Sequence, residues 1–220
     1  ARQCSVFNRL VVATDSLAIA EVMRKAGAEV IMTSSTCHSG TDRVAEVAAL
    51  LAAAGQHFDL VANVQGDMPF IQPALIDKVV RDLAAAPAVM AMGTVATPIL
   101  SQEEFERPSA VKVVIRADRS ACYFSRAPIP FPRSGKPGGV PPALKHMGLY
   151  VFRPETLVAL SQSAPATLEL AEGLEQLRAL ELGFQILVTV VERAEVEPAV
   201  EVDTPEDLMR AEEIATRMSN

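Results

Sequence analysis

Two carboxylates frame the chemistry open to this chain. Asp67 ends the run Leu60-Val61-Ala62-Asn63-Val64-Gln65-Gly66-Asp67, and Asp203 stands in Val202-Asp203-Thr204-Pro205-Glu206-Asp207-Leu208. An apolar run that breaks into Gly-Asp reads as a buried parallel strand, and its carboxyl end faces the ligand side of an open α/β sheet. A carboxylate there can hold a hard cation against phosphate oxygens, or it can cap a turn. Two such carboxylates suit Mg²⁺, which takes one or two from protein and its other ligands from substrate phosphates and water. Thr204 as N-cap, Pro205 at N1 and Asp207 at N3 already make a sufficient helix start, so Asp203 is not needed for it. Spacing alone leaves metal ligation and turn capping both open.

Other polar clusters are weaker signals. Ser39-Gly40-Thr41-Asp42-Arg43 opens a helix pattern. Its amides and hydroxyls can bind an anion or a base edge, although an ordinary cap by Thr41 or Asp42 with a solvated Arg43 explains it as well. His146 directly precedes a strand pattern, and a lone His is more often structural than catalytic. No Ser-His-Asp order or HExxH helix raises its standing, and His38 and His57 fall in loops. Arg126 can clamp a carboxylate with two hydrogen bonds or pair with a nearby acid. Gly135-Lys136-Pro137-Gly138-Gly139 lacks the order of a phosphate loop and reads as flexible surface.

These residues need a scaffold, and the pattern around them supplies an α/β one. Strand-like Leu10–Thr14, helix Leu17–Ala26, strand Glu29–Thr33, helix Asp42–Ala54, strand Leu60–Val64 and helix Pro73–Ala85 alternate at βαβ spacing. Strands follow at Met90–Thr97, Ala110–Arg116, Ala121–Ser125 and Met147–Phe152. Helices are expected over Pro154–Gln162 and Thr167–Glu181, a strand over Gln185–Val191 and a last helix over Pro205–Met218. Residues 127–142 hold six of the fifteen prolines, which excludes helix and interior strand there.

Composition bounds the rest. With 220 residues the chain forms one domain and buries a substantial core. A net charge of −7 excludes a broad nucleic-acid face but leaves room for a nucleotide held by local Arg, Lys and a metal. Cys4, Cys37 and Cys122 are too scattered for a disulfide framework or zinc site and fit a reducing compartment. The most apolar stretch, Leu83 to Leu100, is broken by Pro87, Gly93 and Pro98, so no membrane span or membrane partner is expected. No secretory signal is visible, and the cytoplasm is the expected location. The chain begins without Met and enters a strand pattern almost at once, as if cut from something longer.

The ordered set of segments resembles the 3-deoxy-D-manno-octulosonate (Kdo) cytidylyltransferases, or CMP-Kdo synthetases. The matching segments are Val11-Val12-Ala13-Thr14-Asp15, Ser39 to Glu46, Asn63 to Asp67 and Val111-Lys112-Val113-Val114. Tyr123 to Pro130, His146-Met147-Gly148-Leu149-Tyr150, Leu174 to Arg178 and Val202 to Leu208 complete the set across nearly the whole chain. The resemblance implies a three-layer, nucleotide-diphospho-sugar-transferase-like (Rossmann-like) fold with a mainly parallel sheet. A smaller substrate and dimerisation lobe would occupy residues 110–190. It implies that CMP passes from CTP to the anomeric hydroxyl of Kdo, releasing pyrophosphate, for lipopolysaccharide synthesis. Asp67 and Asp203 would hold Mg²⁺. Ser39, Gly40, Thr41, Arg43 and Gln65 would contact the nucleotide, while Arg126, His146, Tyr150, Glu175 and Gln176 would line the sugar site. A homodimer is implied in the same way.

The sequence departs from the family pattern at Cys37, Met68 and Glu201, where family members usually carry His, Glu and Gly. The family also opens with a basic, glycine-containing triphosphate loop, and nothing like it precedes Leu10. The expectation is therefore an N-terminally truncated single cytidylyltransferase domain. Two alternatives accompany it: a cytidylyltransferase for another nonulosonate or for 8-amino-Kdo, and a catalytically silent sugar-binding homologue.

Overall fold

A computed structural model describes residues 1–37, 39–133, 141–198, 200–202 and 204–218. Asp203, His38 and the Gly135-Lys136-Pro137-Gly138-Gly139 stretch lie outside the described residues.

The first βαβ unit is short. β1 (Val11–Thr14) pairs in parallel with β2 (Glu29–Met32) through α1 (Leu17–Lys25), which Ser16 caps by accepting from the Ile19 N–H. Gly27, at φ +73°, takes the left-handed turn that lets the chain leave the helix. α2 (Gly40–Ala53) follows and starts two residues earlier than expected. The cap is Ser39, not Thr41 or Asp42: its Oγ accepts from the Asp42 N–H at 3.1 Å.

A six-stranded sheet forms the centre, ordered β6-β5-β7-β4-β8 with β3 also on β7. These strands are β3 (Val61–Val64), β4 (Met90–Pro98), β5 (Lys112–Ile115), β6 (Ala121–Ser125), β7 (Leu144–Phe152) and β8 (Gln185–Val190). β3, β4, β5 and β8 run one way, while β6 and β7 run against them. The sheet is thus mainly parallel in direction, with β7 inserted antiparallel. One edge of β7 takes β4. The other edge is shared by β5, at Leu144–Lys145, and β3, at Leu149–Phe152.

Helices cover both faces. α3 (Pro73–Ala85) buries Leu75, Ile76, Val79 and Leu83 against Met147, Leu149 and Val151 of β7 and their neighbours. The spacing of those four residues makes one apolar helical stripe. The opposite face packs Tyr150 and Phe152 with Leu157 and Leu160 of α5 (Pro154–Gln162) and Leu177 of α7 (Gln176–Glu181). Alternation along β7 decides which side chain meets which layer. α4 (Gln102–Glu106), a short helix capped by Ser101, was not expected. α8 (Pro205–Met218) begins as expected: the Asp207 N–H donates to Thr204 Oγ1, and the Thr204 N–H donates to Asp207 Oδ2.

Two further sequence expectations change. β7 begins at Leu144 rather than Met147, because its first residues find partners on β4 and β5, so His146 lies within the strand. The single helix expected over Thr167–Glu181 is two, α6 (Thr167–Glu172) and α7. Gly173 at φ +63° ends the first. The turn is held from inside by Arg178, whose guanidinium pairs with Glu169 and donates to the Leu160 carbonyl at 3.1 Å.

Both partners of that ion pair are about nine-tenths buried. Arg178→Met leaves the Glu169 carboxylate buried without its cation and is expected to cost about 3–5 kcal/mol in urea unfolding. Adding Glu169→Gln, which keeps an acceptor for the Ala166 N–H, is expected to recover most of that loss.

Candidate active site

The start of α2, the end of β3 and the divided edge of β7 converge. Two glycines set how closely. A Cβ on Gly40 would stand 3.4 Å from Asn63 Nδ2, and one on Gly148 would stand 3.4 Å from the Gln65 amide. The missing side chains let Asn63 lie against the mouth of α2 and Gln65 lie across β7.

Thr41, at the first turn of α2, is buried and donates through Oγ1 to Glu175 Oε2 at 2.7 Å. This bond joins the loop read as nucleotide-binding to the segment read as sugar-binding, across 134 residues of chain. Beside it, Tyr150 Oη donates to Gln176 Oε1 at 3.0 Å. Thr41, Tyr150, Glu175, Gln176 and Arg178 line one small cleft together with Met92, Phe152 and Leu160. Burial, and then the charges of Glu175 and Glu201, push the Tyr150 phenol above its ordinary pKa, so it stays a hydrogen-bond donor. His146 meets this cluster through its ring, 5.5 Å from Tyr150 and edge-on to Phe124 at 5.0 Å. Its Nε2 is 2.9 Å from Thr94 Oγ1, and burial pushes its pKa down to about 3. The imidazole is neutral at physiological pH.

Arg43 points elsewhere. Its guanidinium donates to Thr33 Oγ1 at 2.5 Å and lies 3.3 Å from Asp15 Oδ1, at the ends of β1 and β2. Arg126 is a clamp on backbone. Nε donates to the Glu172 carbonyl at 2.7 Å, while Nη1 and Nη2 reach the Pro108 and Gly173 carbonyls at 3.3 Å each. The guanidinium hydrogen-bonds these carbonyls, and its charge also acts on the nearby Glu172 carboxylate, as the acid-pairing reading expected. Among the described residues, these bonds use three of its five N–H groups.

Asp67 follows β3, and one of its carboxylate oxygens, Oδ1, is shielded from solvent. Its backbone carbonyl accepts from the Val202 N–H at 2.8 Å, tying the end of β3 to the residue that precedes Asp203 in the chain. Among the described residues, no three His, Cys, Asp or Glu side chains gather as a metal site. The hard anionic oxygens of Asp67 and of a second aspartate nevertheless have the chemistry that Mg²⁺ prefers when phosphates supply its other ligands.

Sequence reasoning missed the residues that hold these in place. Lys112, fully buried, donates from Nζ to the Arg107 and Arg126 carbonyls at 3.0 and 2.7 Å. Its burial pushes the ammonium pKa down, and the Glu172 charge opposes that. Glu172 accepts from Ser125 Oγ at 2.6 Å and from the Arg126 N–H at 2.8 Å. A charged residue inside the Val-rich run Val111 to Ile115 was the one available signal for Lys112. Glu172 and Thr94 carried none, because each is defined by partners far away in sequence.

Comparison with known proteins gives this arrangement a class. A family model described as "Cytidylyltransferase" matches residues 1–188. A cytidylyltransferase from Leptospira borgpetersenii, 15% identical with a TM-score of 0.55, shares the fold. Closer matches narrow the class. A 3-deoxy-manno-octulosonate cytidylyltransferase of Acaryochloris marina is 42% identical over 96% of this chain and 82% of its own length. Its counterpart in Geobacter sulfurreducens is 44% identical over 91% of this chain and 80% of its own. A solved CMP:2-keto-3-deoxy-manno-octonic acid synthetase complexed with CTP is 33% identical, with a TM-score of 0.87 over 99% of this chain and 84% of that one. The chain belongs to the 3-deoxy-manno-octulosonate cytidylyltransferase family.

The buried neutral histidine has a measurable consequence. Below about pH 6.5 the unfolded chain binds a proton at His146 that the native state refuses until about pH 3. This contribution is whole above the unfolded pKa and is lost as pH falls through that window, by about 1.4 kcal/mol per pH unit. Urea unfolding is expected to show that slope for the natural chain and a shallower one for His146→Gln.

Proposed function

We propose that the protein transfers CMP from CTP to the anomeric hydroxyl of Kdo and releases pyrophosphate, a step that feeds bacterial lipopolysaccharide synthesis. The observation that carries this reading is the nearly full-length match to a CTP-complexed synthetase of the same sugar acid. The Thr41–Glu175 bond supports it, because it draws the two substrate-reading segments to one cleft.

In the reaction the anomeric oxygen forms a bond to the α-phosphorus of CTP. The bond from that phosphorus to the bridging oxygen breaks, pyrophosphate departs with the electron pair, and the hydroxyl proton is lost. Such a transfer depends on alignment and charge neutralisation more than on a reactive side chain. Ser39, Gly40, Thr41, Arg43 and Gln65 are assigned to the nucleotide. The exposed glycine at position 40, first residue of α2, suits close backbone approach to a flat base or ribose. Arg126, His146, Tyr150, Glu175 and Gln176 are assigned to the sugar, a polyhydroxylated acid that calls for donors, acceptors and a cation in one wall. Asp67 and Asp203 are assigned to Mg²⁺, which when bound would offset the negative charge of the triphosphate.

Residues 110–190 contain all five assigned sugar contacts, which supports reading that stretch as the substrate region. A homodimer and a cytoplasmic location complete the proposal. No helix among the described residues is long and apolar enough to cross a membrane.

Pyrophosphate release is expected only when CTP, Kdo and Mg²⁺ are all supplied. Asp67→Asn and Asp203→Asn are each expected to lower kcat by ~100-fold or more. Undiminished turnover in either variant removes that carboxylate from the site. Light scattering tests the dimer.

A further inference from the structure

β4 and β7 fall out of register where they pass the sugar wall. Gly93 faces Val151, but the next paired residue, Val95, faces Met147. Thr94 therefore stands alone opposite Gly148, Leu149 and Tyr150. A bulge of this kind leaves backbone groups of the longer strand without a ladder partner. Thr94, fully buried, fills the gap: its Oγ1 lies 2.8 Å from the Leu149 carbonyl, 3.3 Å from the Met147 carbonyl and 2.9 Å from His146 Nε2.

A hydroxyl has one proton to give. Both carbonyls can only accept, and a buried carbonyl deprived of a donor costs more than a bond exchanged between two partners. The Thr94 proton therefore goes to the closer carbonyl, that of Leu149. Thr94 Oγ1 then faces the imidazole with lone pairs only, so Nε2 must carry the ring proton. Among the described residues, Nδ1 makes no hydrogen bond.

We propose that Thr94 is a positioning residue that locks His146 as the neutral Nε2–H tautomer and so presents Nδ1 to the sugar as a hydrogen-bond acceptor. The acceptor role rests on the sugar-site reading of His146; the tautomer lock does not. His146 then reads a sugar hydroxyl as a donor, and it does not meet the sugar carboxylate as a cation. The arrangement uses a register fault in the sheet as a source of chemical definition: the bulge creates the orphaned carbonyl, the carbonyl commits the threonine proton, and the threonine orients the ring.

Long-range ¹H–¹⁵N correlation spectra of the ¹⁵N-labelled protein, recorded without substrate, report which imidazole nitrogen is protonated. The expected spectrum shows His146 protonated at Nε2 near neutral pH. Thr94→Ser, which keeps the hydroxyl, is expected to preserve that pattern and the KM for Kdo. Thr94→Val, similar in shape but without the hydroxyl, is expected to release the ring into mixed tautomers. The same variant should raise the KM for Kdo by about tenfold, the loss of one modest hydrogen bond, with the KM for CTP unchanged. An Nδ1–H ring, or an imidazolium, in the natural protein overturns the proposal whatever the kinetics show. An Nε2–H ring combined with an unmoved sugar KM in active Thr94→Val overturns the acceptor role while leaving the cytidylyl-transfer reading intact.

Discussion

The structure depends on β7, a nine-residue strand whose one edge is taken by β4 and whose other edge is divided between β5 and β3. Backbone hydrogen bonds admit only one neighbour at each point of a strand edge, so a gap opens where β5 stops and β3 begins. Met147 and Gly148 occupy that gap. The fold thereby obtains a place near the middle of its sheet where side chains from both flanking strands can approach one another. Gln65 leans on Gly148 across it, and the His146 N–H is anchored to the Val111 carbonyl at 2.8 Å. Alternation along β7 then sends His146, Tyr150 and Phe152 to the cleft face and Met147, Leu149 and Val151 to the α3 core.

Several polar groups buried around this strand are matched by specific partners, because desolvation makes an unmatched one costly. Lys112 spends its ammonium on two loop carbonyls, Arg178 closes the α6–α7 turn through Glu169, and Glu172 collects Ser125 and the Arg126 N–H. Together these bonds hold three connecting segments, at 107–108, 125–126 and 172–173, as one wall. A transfer reaction with no covalent help from the protein relies on this kind of rigidity, since alignment supplies much of the rate. The clamp on Arg126 also limits what that residue can do, because most of its donors are committed to backbone.

Much of this was legible in the chain. Short apolar runs ending in turn residues placed β1, β3, β6 and β8 within a residue or so, and Pro73 with its apolar stripe gave α3 its observed bounds. The capping pattern of Thr204 and Asp207 appears as drawn from spacing. Where local signals competed, the sequence was less informative. Ser39 outcompeted Thr41 and Asp42 as cap because Thr41 is drawn inward to Glu175, a partner invisible to any local window. The α6–α7 break turned on Gly173, whose left-handed conformation is one option among several until the Glu169–Arg178 pair selects it.

By itself the sequence determined the alternation of elements, the family, and the identity of the residues that could do chemistry, because those follow from periodicity, caps and residue type. The tertiary structure alone decided which of those residues meet. That Thr41 touches Glu175, that Arg126 grips carbonyls, and that a bulge commits Thr94 to Leu149 and His146 are matters of long-range packing and strand register. The last of these depends on the long-range pairing of β4 and β7, where a shift of one residue would carry His146 to the opposite face; the first two depend on how α2, α7 and the end of β6 pack together.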